Sequence, residues 1–428
     1  MSVQYQIIGG GLIGLATAYA LLESGAESVR IIEAREGVAL ETSFANAGML
    51  HVSLAEPWNR PGIGGELLGS LFHKNTSLKL RATGLVGLMG WGRQFLKHST
   101  PDAYWQATQL NTQLAIYALQ KNMQWRENLS IDDGYEGDGL LKIYRSDESF
   151  ARAQESVSRL REFGANIEIC NAKETVLKEA ALKPISESIA GALYYPDDYK
   201  ADAYVFCKAL EAEILSQKNE ILYNRRVENF VFSGDRVCGV ETHAGILRAD
   251  TTIIAAGAYS YKLLAKLGLP LPIRPVKGYS LSFSTDELAR KHTAVVPHIP
   301  VVDDSLHAAI TPLPNCIRVA GIAELAGFNP KMGPTRLAPL LGMLDNVYPD
   351  LAKKLTSAPM KAWHGFRPVS ADGRPFIGES KIQGLAINTG HAHMGWTFSA
   401  GAGALLADVL LGKKPMIDQV GFAASRVW

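Results

Sequence analysis

The chain has 428 residues, long enough for two or three domains, and its 47% hydrophobic and 20% charged residues are typical of a folded globular protein. Its 43 basic and 42 acidic residues leave a formal net charge of +1, which argues against a nucleic-acid partner. The four cysteines stand far apart without a CxxC pair, which argues against a disulfide framework and against a thiolate metal site. This cysteine usage favours a reducing, cytoplasmic compartment.

The first predicted elements are a strand, a GxGxxG turn and a helix from Leu12 to Ser24. Gly9 permits the tight turn, Gly11 lets the backbone approach a pyrophosphate, and Gly14 lets the helix pack closely on the sheet. A second strand ends at Glu33, whose carboxylate would bind a ribose diol and disfavour a 2′-phosphate. The unit therefore predicts a dinucleotide site. NAD and FAD share the ADP half that it binds, so both ligands stay open at this point.

Residues 62–98 mix apolar side chains with lysine and arginine. We expect a pair of helices that pack inward, and the alternative is contact with a membrane surface, which would place the protein peripherally on the inner membrane. The apolar run at the N-terminus follows no basic residue and ends at Glu23, so we predict neither a signal peptide nor a membrane span.

The middle of the chain alternates helical and extended patterns. Asp202 is placed to cap a helix through Ile214, and Ser233-Gly-Asp235 predicts a hairpin turn. The other predicted elements are helices over 104–128 and 148–163 and strands over 139–145, 220–227, 237–242 and 251–257.

The last third of the chain changes composition twice. Frequent proline over 269–362 predicts a separate, mostly antiparallel domain. A glycine-rich stretch, a strand over 385–388 and a helix from about Ser399 to Leu410 follow. The loop with Gly390 and Gly395 would direct free backbone N–H groups and a positive helix end toward a group that becomes negative during turnover.

Six ordered segments together resemble the FAD-dependent D-amino acid oxidase superfamily, and most closely its bacterial D-amino acid dehydrogenase branch. The first is the N-terminal glycine motif that ends at residues 33–35, and the others cover residues 41–48, 255–257, 274–279, 363–378 and 388–397. The resemblance implies an α/β fold, α+β overall, in which a Rossmann-like FAD-binding domain carries an inserted mixed or antiparallel-sheet substrate domain. The FAD domain would comprise residues 1–60, 140–262 and 363–428, and the substrate domain residues 61–139 and 263–362.

The resemblance also implies a non-covalent FAD and the residues that hold it. The loop 43–48 would approach the pyrophosphate, ribityl chain and flavin edge, and residues 390–397 would pass beneath the pyrimidine ring. The complete predicted cofactor site is Gly9, Gly11, Leu12, Ile13, Gly14, Glu33, Ala34, Arg35, Thr42, Ser43, Ala45, Asn46, Ala47, Gly48, Met49, Leu50, Val227, Ala256, Gly257, Gly390, His391, Met394, Gly395, Trp396 and Thr397.

For the substrate, the resemblance implies that Arg367 holds an amino-acid carboxylate, which a guanidinium fork suits. Tyr279 would close the site or bind the carboxylate, and its alternative is a core tyrosine with a satisfied hydroxyl. The expected reaction is oxidation of a D-amino acid, such as D-alanine, D-proline or hydroxy-D-proline, with a quinone or another electron acceptor. The alternatives are an oxygen-using glycine, sarcosine or opine-type oxidase and a non-catalytic flavin-binding subunit. We assign no general base among His51, His391 and His393 and no metal ligand.

Overall fold

A computed structural model describes residues 2–70, 78–80, 85–285, 295–356 and 358–427. The helices are α1 (Leu12–Glu23), α2 (Ile63–Ser70), α3 (Leu85–Lys97), α4 (Pro101–Leu129), α5 (Asp147–Glu162), α6 (Ala172–Lys178), α7 (Ala203–Ser216), α8 (Ser260–Lys266), α9 (Pro334–Val347), α10 (Pro349–Leu355) and α11 (Gly395–Leu410). The strands are β1 (Val3–Ile8), β2 (Val29–Ile32), β3 (Met49–Leu50), β4 (Leu78–Leu80), β5 (Leu140–Tyr144), β6 (Glu168–Cys170), β7 (Gly191–Tyr195), β8 (Tyr199–Lys200), β9 (Glu220–Leu222), β10 (Val227–Ser233), β11 (Arg236–Thr242), β12 (Gly245–Ile254), β13 (Ile273–Ser284), β14 (Val301–Asp303), β15 (Ala308–Leu313), β16 (Cys316–Leu325), β17 (Met360–Ser370), β18 (Phe376–Glu379) and β19 (Leu385–Thr389).

The first sheet has a parallel centre in the order β9-β2-β1-β12-β19. Its strands are short apolar runs, and all four residues of β2 are buried, as expected for a sheet covered on both faces. The long strand β12 pairs in parallel with β1 through its second half and antiparallel with β11 through its first half. This sheet brings the end of β1 and the start of α1 to the carboxyl edge, where α/β proteins bind ligands.

The second sheet is mixed and runs in the order β17-β13-β16-β15-β14-β5-β7-β6, with β4 beside β16. Most neighbouring strands are antiparallel, whereas β14 pairs in parallel with β5. Helices α9 and α10 cover one face with a buried cluster that includes Leu340, Leu344 and Leu351. The longest strand pairing in the described part of this sheet joins β13 to β17 and runs from Ile273↔Ser370 to Phe283↔Met360.

Two glycines let α11 lie against both α1 and α4. A Cβ at Gly401 would come within 2.7 Å of the Ala118 Cβ in α4, and one at Gly403 would come within 2.6 Å of the Ala16 carbonyl oxygen in α1. Such distances are too short for any side chain, so these helices approach at backbone contact. The packing fixes the N-terminus of α11 relative to the glycine-rich turn before α1.

The structure confirms the α/β fold class and most of the predicted elements. Helix α1, the Asp202 cap and the hairpin of β10 and β11 lie where the sequence places them; the Asp202 carboxylate accepts from the Tyr204 N–H at 2.8 Å. The predicted start of the last helix at Ser399 is wrong, because α11 begins one turn earlier, at Gly395. Its first turn contains glycine and threonine, which have low helix propensity, and packing on the neighbouring helices overrides that preference.

Sheet membership divides the chain differently from the predicted domains. Strands β5, β6 and β7 fall within residues 140–262 but belong to the second sheet, as does most of β17 within 363–428. The segments predicted for the FAD domain therefore contribute strands to both sheets, and the domain boundaries stay a prediction.

Candidate active site

A cavity of about 2200 Å³ is lined by residues of both sheets. Typical small-molecule sites enclose about 300–1000 Å³, so this cavity has room for a dinucleotide together with a substrate. At one end it reaches the glycine-rich turn, and elsewhere it runs over strands β17, β13, β16, β15, β14 and β5 of the second sheet.

The glycine-rich turn has the backbone that the sequence predicts. Gly9 has a φ of +113°, and a Cβ there would lie 2.6 Å from the Ala255 carbonyl oxygen. A Cβ at Gly14 would lie 1.8 Å from the Gly9 carbonyl oxygen, so only glycine allows α1 to start against the strand. Helix α1 has Gly11 as its N-cap, a residue with no side chain to cap the helix, and this end of the helix faces the cavity. A helix start of this kind binds phosphate.

Glu33 lines the cavity beside this turn. Its carboxylate accepts hydrogen bonds from the Gly10 N–H at 2.6 Å and the Arg35 N–H at 2.8 Å. Burial raises the pKa of Glu33 above its ordinary value, although these backbone donors oppose the shift. The two donors fix the carboxylate where the sequence predicts the ribose contact.

The loop at residues 42–48 joins the cavity to the second sheet. The Thr42 hydroxyl accepts from the Phe366 N–H at 3.0 Å, and the Ser280 hydroxyl donates to the Ala45 carbonyl at 2.7 Å. Ser43 accepts from the Leu12 N–H at 3.1 Å at the start of α1. The loop is thus held by the first turn of α1 and by strands β13 and β17.

A second helix start, that of α11, also reaches the cavity. Gly395 and Trp396 line it, and no side chain caps the helix. The preceding loop needs unusual backbone, with a φ of +86° at Gly390 and +48° at Ala392. The uncapped N–H groups give this end a partial positive charge that favours an anion.

Arg367 lies on β17 and lines the cavity with its guanidinium over β13. Its Nη1 donates to the Ile322 carbonyl at 3.1 Å, and its Cζ lies 5.7 Å from the centre of a Trp58 ring. A Cβ at Gly278 would lie 2.4 Å from the Arg367 Cζ, so the glycine at this position leaves the space that the guanidinium occupies. Burial lowers the pKa of Arg367 to about 10. Because this pKa is still well above 7, the side chain is charged near neutral pH.

Among the described residues, no carboxylate pairs with Arg367. A buried cation without a counter-ion is costly, and an anion in the cavity would remove that cost. The carbonyl that holds it belongs to Ile322, which has a φ of +63° where β16 shifts register against β13. Positive φ is a strained conformation for a β-branched residue and occurs often at functional sites.

Tyr279 also lines the cavity, although its side chain is buried. Its hydroxyl donates to one Glu324 carboxylate oxygen, and the Arg336 guanidinium pairs with the other oxygen at 2.9 Å. The hydroxyl therefore has a partner within the protein, as in the core-tyrosine alternative. A substrate role for Tyr279 stays a prediction.

Of the histidines that line the cavity, three have a pKa that burial lowers far below its ordinary value: to about 3 for His51, about 3 for His391 and about 4 for His393. All three are therefore neutral at pH 7. The His393 Nε2 lies 2.8 Å from the Leu54 carbonyl, and because a carbonyl only accepts, that nitrogen carries the proton. The His393 ring stacks on Trp58 at 5.2 Å.

Most of the predicted site residues meet at this one cavity. The lining includes Arg367, Tyr279, Gly9, Gly11, Leu12, Ile13, Glu33, Ala34, Arg35, Thr42, Ser43, Ala45, Asn46, Ala47, Met49, Val227, Ala256, Gly257, His391, Gly395 and Trp396. Six others stand outside that lining: Gly14, Gly48, Leu50, Gly390, Met394 and Thr397.

The sequence did not point to three residues around the Arg367 guanidinium, namely Trp58, Gly278 and Ile322. It also did not point to Glu324, the partner of the Tyr279 hydroxyl. Gly278 lies inside a segment that carried the resemblance, so the glycine was visible but its contact was not. A carbonyl contact, as at Ile322, has no side-chain signature that a single sequence could reveal.

Known proteins are similar to this chain over nearly its whole length. The family model for FAD dependent oxidoreductases, DAO, matches residues 5–409. A D-amino acid dehydrogenase of Bradyrhizobium diazoefficiens is 33% identical over 423 residues, which is 98% of each chain. One of Vibrio vulnificus is 33% identical over 95% of this chain and 96% of its own.

Solved structures share the fold at lower identity. A glycine oxidase of Bacillus cereus has a TM-score of 0.71 and 24% identity over 98% of this chain and 97% of its own. An L-proline dehydrogenase of P. horikoshii has a TM-score of 0.76 and 16% identity over 100% of this chain and 98% of its own.

The parallel sheet with its glycine-rich turn, the mixed sheet and the shared cavity define a flavin-type oxidoreductase. The chain belongs to the DAO family of FAD-dependent oxidoreductases. The residues present fit FAD: the cavity is large enough, the backbone at Gly9 and Gly14 leaves no space for side chains, and Glu33 faces the cavity. Membership of this family selects FAD over NAD, a choice that the glycine motif alone left open.

Proposed function

We propose that this protein oxidises a D-amino acid to the imino acid, which water hydrolyses to a 2-oxo acid and ammonia. The observation that carries the proposal is Arg367, a half-buried residue whose guanidinium lies in the cavity and which no carboxylate of the described residues neutralises. The carboxylate of an amino acid supplies the missing charge. The similarity to D-amino acid dehydrogenases over nearly the whole chain supports the choice of substrate class.

The side chains of this protein bind and orient the substrate. Arg367 holds the carboxylate, and Gly278 and the Ile322 carbonyl hold the guanidinium in place. FAD, when bound, supplies a two-electron acceptor that takes hydride from the substrate Cα. The N-terminus of α11 favours the negative charge that accompanies reduction. With pKa values of about 3 to 4, His51, His391 and His393 are weak bases that do not readily take a proton from the substrate amine. The proposal takes the amine as already uncharged and therefore needs no general base.

The test is anaerobic mixing of the purified, FAD-loaded protein with a panel of D- and L-amino acids. We expect the flavin absorbance near its visible maximum to bleach with D-amino acids and to persist with the L-enantiomers. If every D-amino acid fails to bleach the flavin, the proposal is wrong. Stoichiometric peroxide in air would identify oxygen as the acceptor and would overturn the dehydrogenase assignment in favour of an oxidase.

We further propose that electrons leave to a quinone or another acceptor, with peripheral contact to a membrane through α3. This helix buries Trp91 and Phe95 toward the protein but exposes 67% of Met89 and 49% of Leu96, with Lys97 in its last turn. An apolar and basic surface of this kind favours an anionic membrane. In the described part of the chain, no helix has the length and apolar character needed to cross a membrane. Co-sedimentation with anionic vesicles tests the contact, and loss of sedimentation in Met89→Glu is the expected result.

A further inference from the structure

Glu56 lies in the cavity wall, and its charge acts on Tyr104 and on Lys142. No side chain of the described residues donates a hydrogen bond to its carboxylate or pairs with it within 4 Å. Burial raises the pKa of Glu56 above its ordinary value, while the field of Lys142 opposes that shift. Among the described residues, the cavity therefore holds a carboxylate without an ion-pair partner as well as a guanidinium without one.

Lys142 does not neutralise Glu56, because it already has a partner. Its ammonium pairs with the Asp304 carboxylate at 3.0 Å, and both groups also line the cavity. Burial lowers the pKa of Lys142, but Tyr144, Asp304 and Glu56 outweigh burial and raise it well above its ordinary value. Lys142 and Asp304 thus cancel, and Glu56 is left as a carboxylate of this part of the wall that no described side chain pairs with.

The sheet order gives the separation of the two strands whose residues lie beside these charged groups. The Arg367 guanidinium reaches the Ile322 carbonyl on β16, whereas Lys142, near Glu56, lies on β5. In the order β16-β15-β14-β5 these strands are three spacings apart, which at about 4.8 Å each makes roughly 14 Å. The α-ammonium of an amino acid lies only about 3 Å from its own carboxylate, too close to bridge such a span.

An extended side chain with a terminal cation does bridge it. The carboxylate and side-chain ammonium of lysine are about 7 Å apart when extended, and contacts of about 3 Å at each end bring the total to roughly 13 Å. We propose that Glu56 is a specificity-determining residue that binds the ammonium or guanidinium end of the substrate side chain. The inference rests on the proposed function and adds a preference for D-amino acids with cationic side chains, such as D-lysine and D-arginine.

Binding is tested first with a pair of ligands that cannot be oxidised at an α-amine. 6-Aminohexanoate has the carboxylate and terminal ammonium of lysine, and hexanoate lacks the ammonium. Calorimetric titration of the FAD-loaded protein should show 6-aminohexanoate binding about tenfold or more tightly than hexanoate, with that preference lost in Glu56→Gln. Glu148→Gln, which removes the same charge from an exposed position on α5, serves as the matched control and should keep the preference.

Turnover is tested with D-lysine and its neutral counterpart D-norleucine. We expect Glu56→Gln to reduce kcat/KM for D-lysine about tenfold or more and to leave D-norleucine within about twofold. We expect Glu56→Lys to reverse the preference toward D-glutamate. That result would show that the variant is folded and that the charge at position 56 sets the substrate preference.

The outcomes separate this inference from the proposed function. Equal binding of 6-aminohexanoate and hexanoate, or a D-lysine to D-norleucine ratio that Glu56→Gln leaves unchanged, overturns the role of Glu56 while D-amino acid oxidation stands. If no D-amino acid reduces the flavin, the proposed function fails, and the substrate preference fails with it even where 6-aminohexanoate binds.

Discussion

Gly278→Ala is the substitution whose effect the structure fixes most directly. The added Cβ would lie 2.4 Å from the Arg367 Cζ and Nη1 and 2.5 Å from Nη2. Carbon contacts are comfortable at about 3.5–4.0 Å, so the guanidinium must move by about 1 Å or more. The backbone of Gly278 is not in the positive-φ region, so alanine brings no conformational strain of its own.

A shift of that size breaks hydrogen bonds that need donor–acceptor distances of about 2.7–3.2 Å. One charge-assisted hydrogen bond contributes about 1.5–3 kcal/mol, which corresponds to a roughly 10- to 150-fold fall in kcat/KM for a D-amino acid. We expect the loss to fall mainly on KM, because the carboxylate contact exists before the chemical step. FAD should stay bound, since the glycine-rich turn is far along the cavity.

The assay is steady-state kinetics together with the flavin spectrum of the purified variant. Gly333→Ala is the matched control, because Gly333 has an extended backbone and a Cβ there meets no atom within 4 Å. Wild-type kcat/KM in a folded, FAD-loaded Gly278→Ala protein would refute the placement of Arg367 as the carboxylate site. A protein that loses FAD would show instead that Gly278 supports the whole cavity.

Three further predictions use the same structure. Arg367→Ala should raise KM for the amino acid or abolish flavin reduction with FAD still bound, and unchanged kinetics would remove Arg367 from the site. Gly14→Ala should destabilise the protein by about 3 kcal/mol or more and abolish FAD binding, since its Cβ would lie 1.8 Å from the Gly9 carbonyl oxygen; denaturant unfolding and flavin absorbance measure both. Burial raises the pKa of Asp372, but the Arg426 and Arg374 guanidinium groups outweigh it and hold the pKa below its ordinary value. The stability that the Asp372 carboxylate gains from these two guanidinium groups is therefore fully present above about pH 4, and it is lost as the pH falls through the lower pKa of the folded state. Asp372→Asn should lower the free energy of unfolding by about 3–5 kcal/mol at pH 7. It should also flatten the acid side of a plot of unfolding free energy against pH.

The resemblance and the local patterns predicted the family and the cofactor, and most of the predicted site residues line the cavity. The glycine turn was predictable because the spacing of its glycines matches the positions where the backbone needs a residue without a side chain. The Asp202 cap and the β10–β11 hairpin were predictable for a similar reason, since caps and tight turns depend on residues that are neighbours in sequence. The start of α11 was predicted one turn late, because contacts with α1 and α4 outweigh the poor helix propensity of its first turn.

Contacts between distant segments were out of reach of the sequence. The Tyr279 hydroxyl meets Glu324, 45 residues away, and only the pairing of β13 with β16 brings them together. The same pairing places the strained Ile322 carbonyl against Arg367, and the pairing of β13 with β17 places Gly278 beneath the guanidinium. The unpaired state of Arg367 and Glu56 is likewise a tertiary property, because it depends on which charges the fold leaves without neighbours.

The sequence by itself determined that this chain is a DAO-family flavoprotein, since the residues that carry that identity are short local motifs in a fixed order. Only the tertiary structure decided how the substrate end of the cavity is built. The backbone conformation of a turn or a helix end depends on the residues within it, so a short stretch of sequence can predict it. Charge balance in a cavity depends on strands from both halves of the chain, and it exists only after they have packed.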